Sequence, residues 1–220
     1  MASHTVSFRC EQCGRTHEKT VYDGVDVSKQ PQFRARVMDA SIFDFVCPDC
    51  GAVTGIIYPF LYHDPENGFM VQLVDSSVTE DPFTGLFDTE DESDRAIREV
   101  VEDMKMRYYF RTVTTPNELM EKIAVFEAGY DDRVLELIKQ GILAADPAGT
   151  ILHLYFAPTD SGPVFLAEEE AGFTRSFPLD REVYESIKAA ASFDPSETRI
   201  NEHWAKRYLA ETGNCAAPNS

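Results

Sequence analysis

Apolar and polar residues alternate in short runs over the first half of the chain and recur at helical spacing over much of the second. Val6 and Phe8 share one face of a strand over His4–Arg9. The alternation resumes around Val21, Val25 and Val27 over Lys19–Val27, interrupted at Gly24. Phe33 and Val37 lie four apart in a short helix over Pro31–Asp39, with Pro31 allowed in its first turn. Ile42–Val46 returns as a strand. Val53–Tyr62, β-branched and aromatic, and Phe69–Val74 read as strands either side of a turn at His63-Asp64-Pro65-Glu66-Asn67-Gly68.

Asp75–Phe87 reads as loop. Thr89–Lys105 has a helical stripe of Ala96, Val100 and Met104 beside Ile97 and Val101, with Thr89 and Glu92 as capping box. Its acidic residues Glu90, Asp91, Glu92 and Asp94 favour the positive end of the helix dipole. Tyr108–Val113 closes this region as a strand.

Thr114-Thr115-Pro116 is the expected boundary. Thr115 caps, Pro116 takes the first helical position and Glu118 completes a capping box. Leu119, Ile123 and Phe126 line one face of this helix, and Gly129 stops it. A second helix starts at Asp131, turns Val134, Leu135 and Ile138 inward, and is expected to end at Gly141. Strands follow over Thr150–Phe156, Pro163–Ala167 and Gly172–Pro178. One helix runs from Asp180 to Ala191. A last one is expected to open at Asp194-Pro195-Ser196-Glu197, with Ile200, Trp204 and Tyr208 as its buried stripe. The pattern predicts an α+β chain: a β-rich unit over 1–115, a smaller α+β unit over 116–212, and a flexible tail over 213–220.

The strongest chemical signal is a repeated turn, Cys10-Glu11-Gln12-Cys13-Gly14 and Cys47-Pro48-Asp49-Cys50-Gly51. Two intervening residues let both sulfurs of a turn point at one ion, and the glycine tolerates the positive φ that closes it. Cys10, Cys13, Cys47 and Cys50 together supply four soft ligands, the closed tetrahedral shell of a structural Zn²⁺. Iron in a rubredoxin-like site is the competitor. Two disulfides, or a thioredoxin-like redox pair, are the readings without metal. His17 is close enough to the first turn to replace a cysteine, but the four-cysteine set is complete without it.

Cys47-Pro48-Asp49-Cys50-Gly51 followed by Pro59-Phe60-Leu61-Tyr62-His63-Asp64 resembles the CpXC family of bacterial and archaeal proteins, over roughly Val6–Thr115. The first turn departs from the family's Cys-Pro-x-Cys, with Glu11 in the proline position. Proline there only pre-sets φ, so the metal site should survive the change. The resemblance implies the cysteine ligands and implies no substrate.

Charge narrows the partners. The 220 residues carry a formal net charge of −18, with 38 acidic against 20 basic residues and 43% hydrophobic residues. Nucleic-acid binding needs a basic face that displaces counterions, and no run of Lys or Arg supplies one. The same charge disfavours anionic membranes. No apolar h-region precedes Cys10 and no window approaches eighteen apolar residues, so a cytoplasmic setting with reduced thiols is expected. The fifth cysteine, Cys215, reads as an unused thiol in the tail.

Catalytic motifs are sparse. A histidine beside an aspartate can act as a held base, which makes Tyr62-His63-Asp64 the best candidate outside the cysteines. Neighbours on a strand point to opposite faces, however, and Asp64-Pro65 reads as the start of a turn. Neither a glycine-rich phosphate loop nor a Ser or Cys nucleophile motif is present. His153 and His203 have no neighbouring constellation. The sequence therefore reads first as a zinc-stabilised, acidic protein-interaction or regulatory module. An enzyme, such as a hydrolase with a site near His63 and Asp64, is the alternative. Nucleic-acid binding through the ribbon, around Arg9 and Arg15, is a third.

Overall fold

A computed structural model describes residues 2–84, 99, 104 and 107–213. The chain divides into two compact units, Met1–Met120 and Glu121–Ser220. The division falls inside the helix that starts at Pro116.

In the first unit, β1 (Ser3–Arg9) and β2 (Thr16–Tyr22) form an antiparallel hairpin. A second antiparallel hairpin joins β4 (Asp44–Val46) to β5 (Val53–Gly55). Helix α1 (Gln32–Met38) lies between the hairpins in sequence and buries Val37. The largest sheet has the order β3-β6-β7-β8, made from Gly24–Asp26, Phe60–Asp64, Phe69–Leu73 and Tyr109–Val113. β6 and β7 are antiparallel, while β3 and β8 join as parallel edges.

Two strand expectations are corrected. Lys19–Val27 is not one strand: β2 starts at Thr16 and ends at Tyr22, and β3 is separate. A Cβ on Gly24 would lie 2.6 Å from the Leu61 carbonyl oxygen, so only glycine lets β3 pack this closely on β6. The run Val53–Tyr62 is also broken. β5 stops at Gly55 and β6 starts at Phe60, after Pro59, which cannot donate to a ladder. The break frees Ile56 to donate to the Phe43 carbonyl at 2.8 Å. Tyr58 and Phe60 pack with Phe43 at ring separations of 5.4 and 5.7 Å. Alternation along β6 buries Phe60, Tyr62 and Asp64, and it matches Phe69, Val71 and Leu73 on β7.

The expected helix over Thr89–Lys105 and its acidic cap fall mostly outside the described residues, although Glu99 and Met104 are helical. Cys215 also lies outside them.

The helix α2 (Pro116–Glu127) begins with the expected capping box. Glu118 N–H donates to Thr115 Oγ1 at 3.2 Å, and Thr115 N–H donates back to Glu118 Oε2 at 3.1 Å. Helix α3 (Asp132–Ala144) has Asp131 as its N-cap but passes through Gly141. Gly141 is exposed and its φ is not positive, so it weakens the helix without ending it. Ile138 is only half-buried, whereas Glu136, Lys139 and Gln140 are buried with Val134 and Leu135.

The strands β9 (His153–Ala157), β10 (Val164–Glu169) and β11 (Gly172–Pro178) form an antiparallel sheet with β10 central. Helix α4 (Arg181–Ala190) is capped by Asp180. Helix α5 (Glu202–Thr212) opens at Asn201, not Asp194. Asp194 instead accepts from Ser196 N–H and Oγ–H at 2.9 and 2.7 Å, which closes a turn before helix can form. Ile200 and Trp204 still share a core with Leu137 and Ala205, against which Tyr208 packs.

Candidate metal centre

Each cysteine turn sits at the tip of a hairpin, and the two are built alike. In the first, Cys10 N–H donates to the Arg15 carbonyl and Gly14 N–H donates to the Cys10 carbonyl, both at 2.8 Å. In the second, Cys47 N–H donates to the Ala52 carbonyl at 2.8 Å and Gly51 N–H to the Cys47 carbonyl at 2.9 Å. Gly14 and Gly51 have φ of 71° and 73°, the left-handed conformation each turn needs to close. Glu11 in place of proline leaves this geometry intact.

The turns meet through their sulfurs. Cys10 Sγ lies 3.8 Å from Cys50 Sγ, and Cys13 Sγ lies 3.7 Å from Cys47 Sγ. Both spacings exceed the disulfide bond length of about 2.05 Å. A tetrahedron of thiolates at about 2.3 Å from a central ion has edges of about 3.8 Å. All four sulfurs lie within 4.8 Å of one another, so the donor set fits a four-coordinate ion.

Their protonation points the same way. The thiol of Cys10 is lowered to about 7, chiefly by hydrogen bonding from the Cys13 backbone. Cys50 is pushed up to about 12: the Ala52 backbone favours its thiolate, but partial loss of solvent around the sulfur and the other three sulfurs outweigh that. Four sulfurs this close cannot all ionise without a cation between them.

Side chains link the hairpins around this centre. Arg15 Nη1 donates to Asp49 Oδ1 at 2.6 Å. Lys19 Nζ donates to the carbonyls of Ile42 and Asp44 at 3.1 and 2.8 Å. The Phe8 and Phe45 rings meet edge-on at 4.3 Å. His17 Nε2 is 3.3 Å from Cys47 Sγ. The β1–β2 register explains its placement, since His17, Lys19 and Val21 alternate on the less exposed face of β2.

The second candidate, His63 with Asp64, is not assembled. Asp64 is buried on the Tyr62 face and accepts from the backbone N–H groups of Glu66 and Asn67, both at 3.1 Å. It closes the turn. The carboxylate that His63 does approach is Asp26, with Nδ1 and Oδ2 4.0 Å apart. Asp26 also pairs with Lys29 at 2.7 Å, and hydrogen bonds from Lys29 and Ser28 hold its carboxyl down to about 2. These groups line an open cleft of about 530 Å³ with Asp23, Gln30 and Leu61. Burial lowers the His63 pKa below the usual imidazole range.

Two glycine-closed hairpin tips bring four cysteines together in a two-knuckle donor set able to hold a four-coordinate ion. The chain belongs to the CpXC family: that family's model, described as CpXC protein, matches residues 8–139, more than half of the sequence. The match extends past the Thr115 limit of the sequence resemblance, through α2 and into α3. No curated protein and no solved structure matches the chain. Among the described residues, no helix is long and apolar enough to cross a membrane.

Proposed function

We propose that this chain is a zinc-stapled protein-interaction module of a reducing, cytoplasmic setting, with no chemistry of its own. The observation that carries the reading is the closed donor set: four sulfurs leave an ion no open position for water or substrate. Zinc suits it because it is redox-inert and accepts tetrahedral thiolates. Val46 and Val53, cross-strand partners on the second hairpin, are 62% and 63% exposed, and Ile57 is 56% exposed. That apolar patch beside the knuckle is the part of the molecule best suited to a protein partner. Nucleic acid is the weaker partner, because Arg15 is paired with Asp49 and Arg9 with the Gly14 carbonyl.

Metal analysis of the purified chain is expected to find close to one zinc per chain, lost in Cys47→Ser. Absence of zinc from the wild type would sink the zinc reading; iron would keep the ligands and replace the metal. A partner captured from native cytoplasm should be lost in the double substitution Val46→Lys, Val53→Lys with zinc retained. Undiminished capture would count against the patch.

The enzyme reading keeps one supporting observation, the cleft that holds Asp26, Lys29 and His63. It would be promoted by a turnover that falls a thousandfold in His63→Ala with the fold intact.

A further inference from the structure

The four-cysteine set leaves two polar side chains at its edge, His17 and Asp49, whose ligand atoms also lie within 4.8 Å of the Cys13 and Cys47 sulfurs. The His17 side chain is 11% exposed, and its Nε2 lies 3.3 Å from both Cys47 Sγ and Asp49 Oδ2. Its ring sits 5.5 Å from the Phe45 ring. Asp49 is itself fixed by Arg15 through its other oxygen, at 2.6 Å. A metal-bound cysteine is a thiolate and carries no proton. The hydrogen in a His17–Cys47 hydrogen bond then comes from the imidazole, whose single Nε2–H faces both Cys47 Sγ and Asp49 Oδ2 and is shared between them.

We propose that His17, packed against Phe45 with its Nε2–H between Asp49 and Cys47, is an outer-shell hydrogen-bond donor to the Cys47 thiolate and sets how tightly the centre holds its ion. This rests on the reading of the four cysteines as metal ligands. Four thiolates around a divalent ion leave a net charge of −2, and an N–H directed at one sulfur disperses part of it. Outer-shell donors of this kind are worth roughly 10–100-fold in metal affinity. The centre is consequently lopsided. Cys47 is 1% exposed and braced by His17, whereas Cys50 is exposed, with no comparable side-chain donor among the described contacts.

The experiment uses the full-length zinc-loaded chain and follows zinc transfer to an excess of a chromogenic chelator, with metal content measured on the same samples. His17→Phe keeps a ring against Phe8 and Phe45 but removes the N–H. It is expected to release zinc about 10–100 times faster, still starting from close to one zinc per chain. His17→Gln, which restores an amide N–H, should recover much of the slow release. A purely structural role for the ring would give the opposite order, with Phe slow and Gln fast. Should His17→Phe not fold, His17→Leu, which fills the space without an N–H, is compared with His17→Gln, and about tenfold faster release from the Leu variant is expected.

Release at the wild-type rate in the folded variants overturns the inference and leaves the zinc reading standing. Two zinc ions per wild-type chain, falling to one in His17→Phe, also overturn it, because His17 and Asp49 would then be direct ligands. A wild-type chain without metal removes both this inference and the reading it rests on.

Discussion

Both units gather anionic groups, and they neutralise them in different ways. In the first unit, four sulfurs converge, and the cation that would let them ionise must come from outside the chain. In the second, Glu121, Asp132 and Glu136 are buried together with two cations of the chain's own, Lys122 and Lys139. Lys139 Nζ lies 2.7 Å from Glu121 and 2.9 Å from Glu136; Lys122 Nζ lies 2.8 Å from Asp132. Phe156 N–H adds a hydrogen bond to Glu121 Oε1 at 2.6 Å. The first unit would need an ion from solution to neutralise its donor set, whereas the second carries its counter-charge covalently. That internal pairing also explains why α3 has no free basic face for a nucleic-acid groove: Lys139 is buried in ion pairs, and Arg133 is paired with Asp131.

The largest expected effect is on the imported charge. A structural zinc can contribute on the order of 10 kcal/mol of apparent binding free energy, comparable with the roughly 5–15 kcal/mol stability of a whole domain. Chelation is expected to unfold or loosen the first unit up to about Val113, with hydrogen-exchange protection lost first in the two hairpins. Trp204, the only tryptophan, sits in the core of the second unit, so its emission should hold. Equal loss of protection on both sides, with shifted Trp204 emission, would show one cooperative unit and break the comparison.

Removing an internal charge should cost less but act locally. Lys139→Met leaves Glu121 and Glu136 buried without their nearest cation. Stripping one partner from a buried pair typically costs about 3–5 kcal/mol. Urea unfolding followed by Trp204 emission should show that loss with zinc content unchanged. A loss below about 1 kcal/mol would mean that water solvates the network.

The sequence made the imported charge easy to read and hid the internal one. Cysteine spacing is local, so both knuckles could be located from ten residues. Their joining depends on contacts between β2, β4 and the turns that no periodicity records. The placement of His17 is hidden for this reason: β2 starts at Thr16, whereas a strand read from Lys19 leaves His17 without a face. Extending the alternation of Lys19 and Val21 back by two residues would have placed it inward. The network on α3 was missed because Glu136 and Lys139 look like an ordinary solvated face, and only tertiary packing decides that they are buried. Asp26, the carboxylate nearest His63, is remote in sequence and adjacent only through the parallel β3–β6 pairing.

A smaller effect tests Glu121 itself. Burial, which outweighs the nearby lysines, raises its carboxyl above the usual range. The folded state therefore favours the protonated form. Its contribution is fully present below the unfolded carboxylate pKa of about 4.3 and is lost as pH rises through the higher folded value. Glu121→Gln cannot ionise and keeps an oxygen for Phe156 N–H. Relative to the wild type, the variant should gain stability as pH rises from about 4 to 7. A constant or reversed difference in urea midpoint across that range would show that Lys139 more than repays the burial.

The smallest expected effect is at His63. Its side chain faces away from Tyr62 and Asp64, and its buried Nε2 has no hydrogen-bond partner among the described residues. A polar atom left unsatisfied in this way lowers stability, so an apolar ring of similar shape should be tolerated or favoured. Its pKa is lowered, chiefly by burial and against the pull of Asp26, so the folded state prefers the neutral imidazole. The sign follows from linkage. Stability from this group is present above the unfolded histidine pKa of about 6.5 and is lost as pH falls through the folded value. His63→Phe removes that term and leaves Asp26 paired with Lys29 and Ser28. Hydrogen exchange of β6 and β7 in zinc-loaded protein, compared at pH 7 and pH 5, provides the measurement. Wild-type protection should fall slightly more on acidification than that of the variant, with the two equal or the variant ahead at pH 7. A variant that loses several kcal/mol at pH 7 would show that His63 makes a bond essential to the sheet, and the cleft beside Asp26 would then become the next place to look for chemistry.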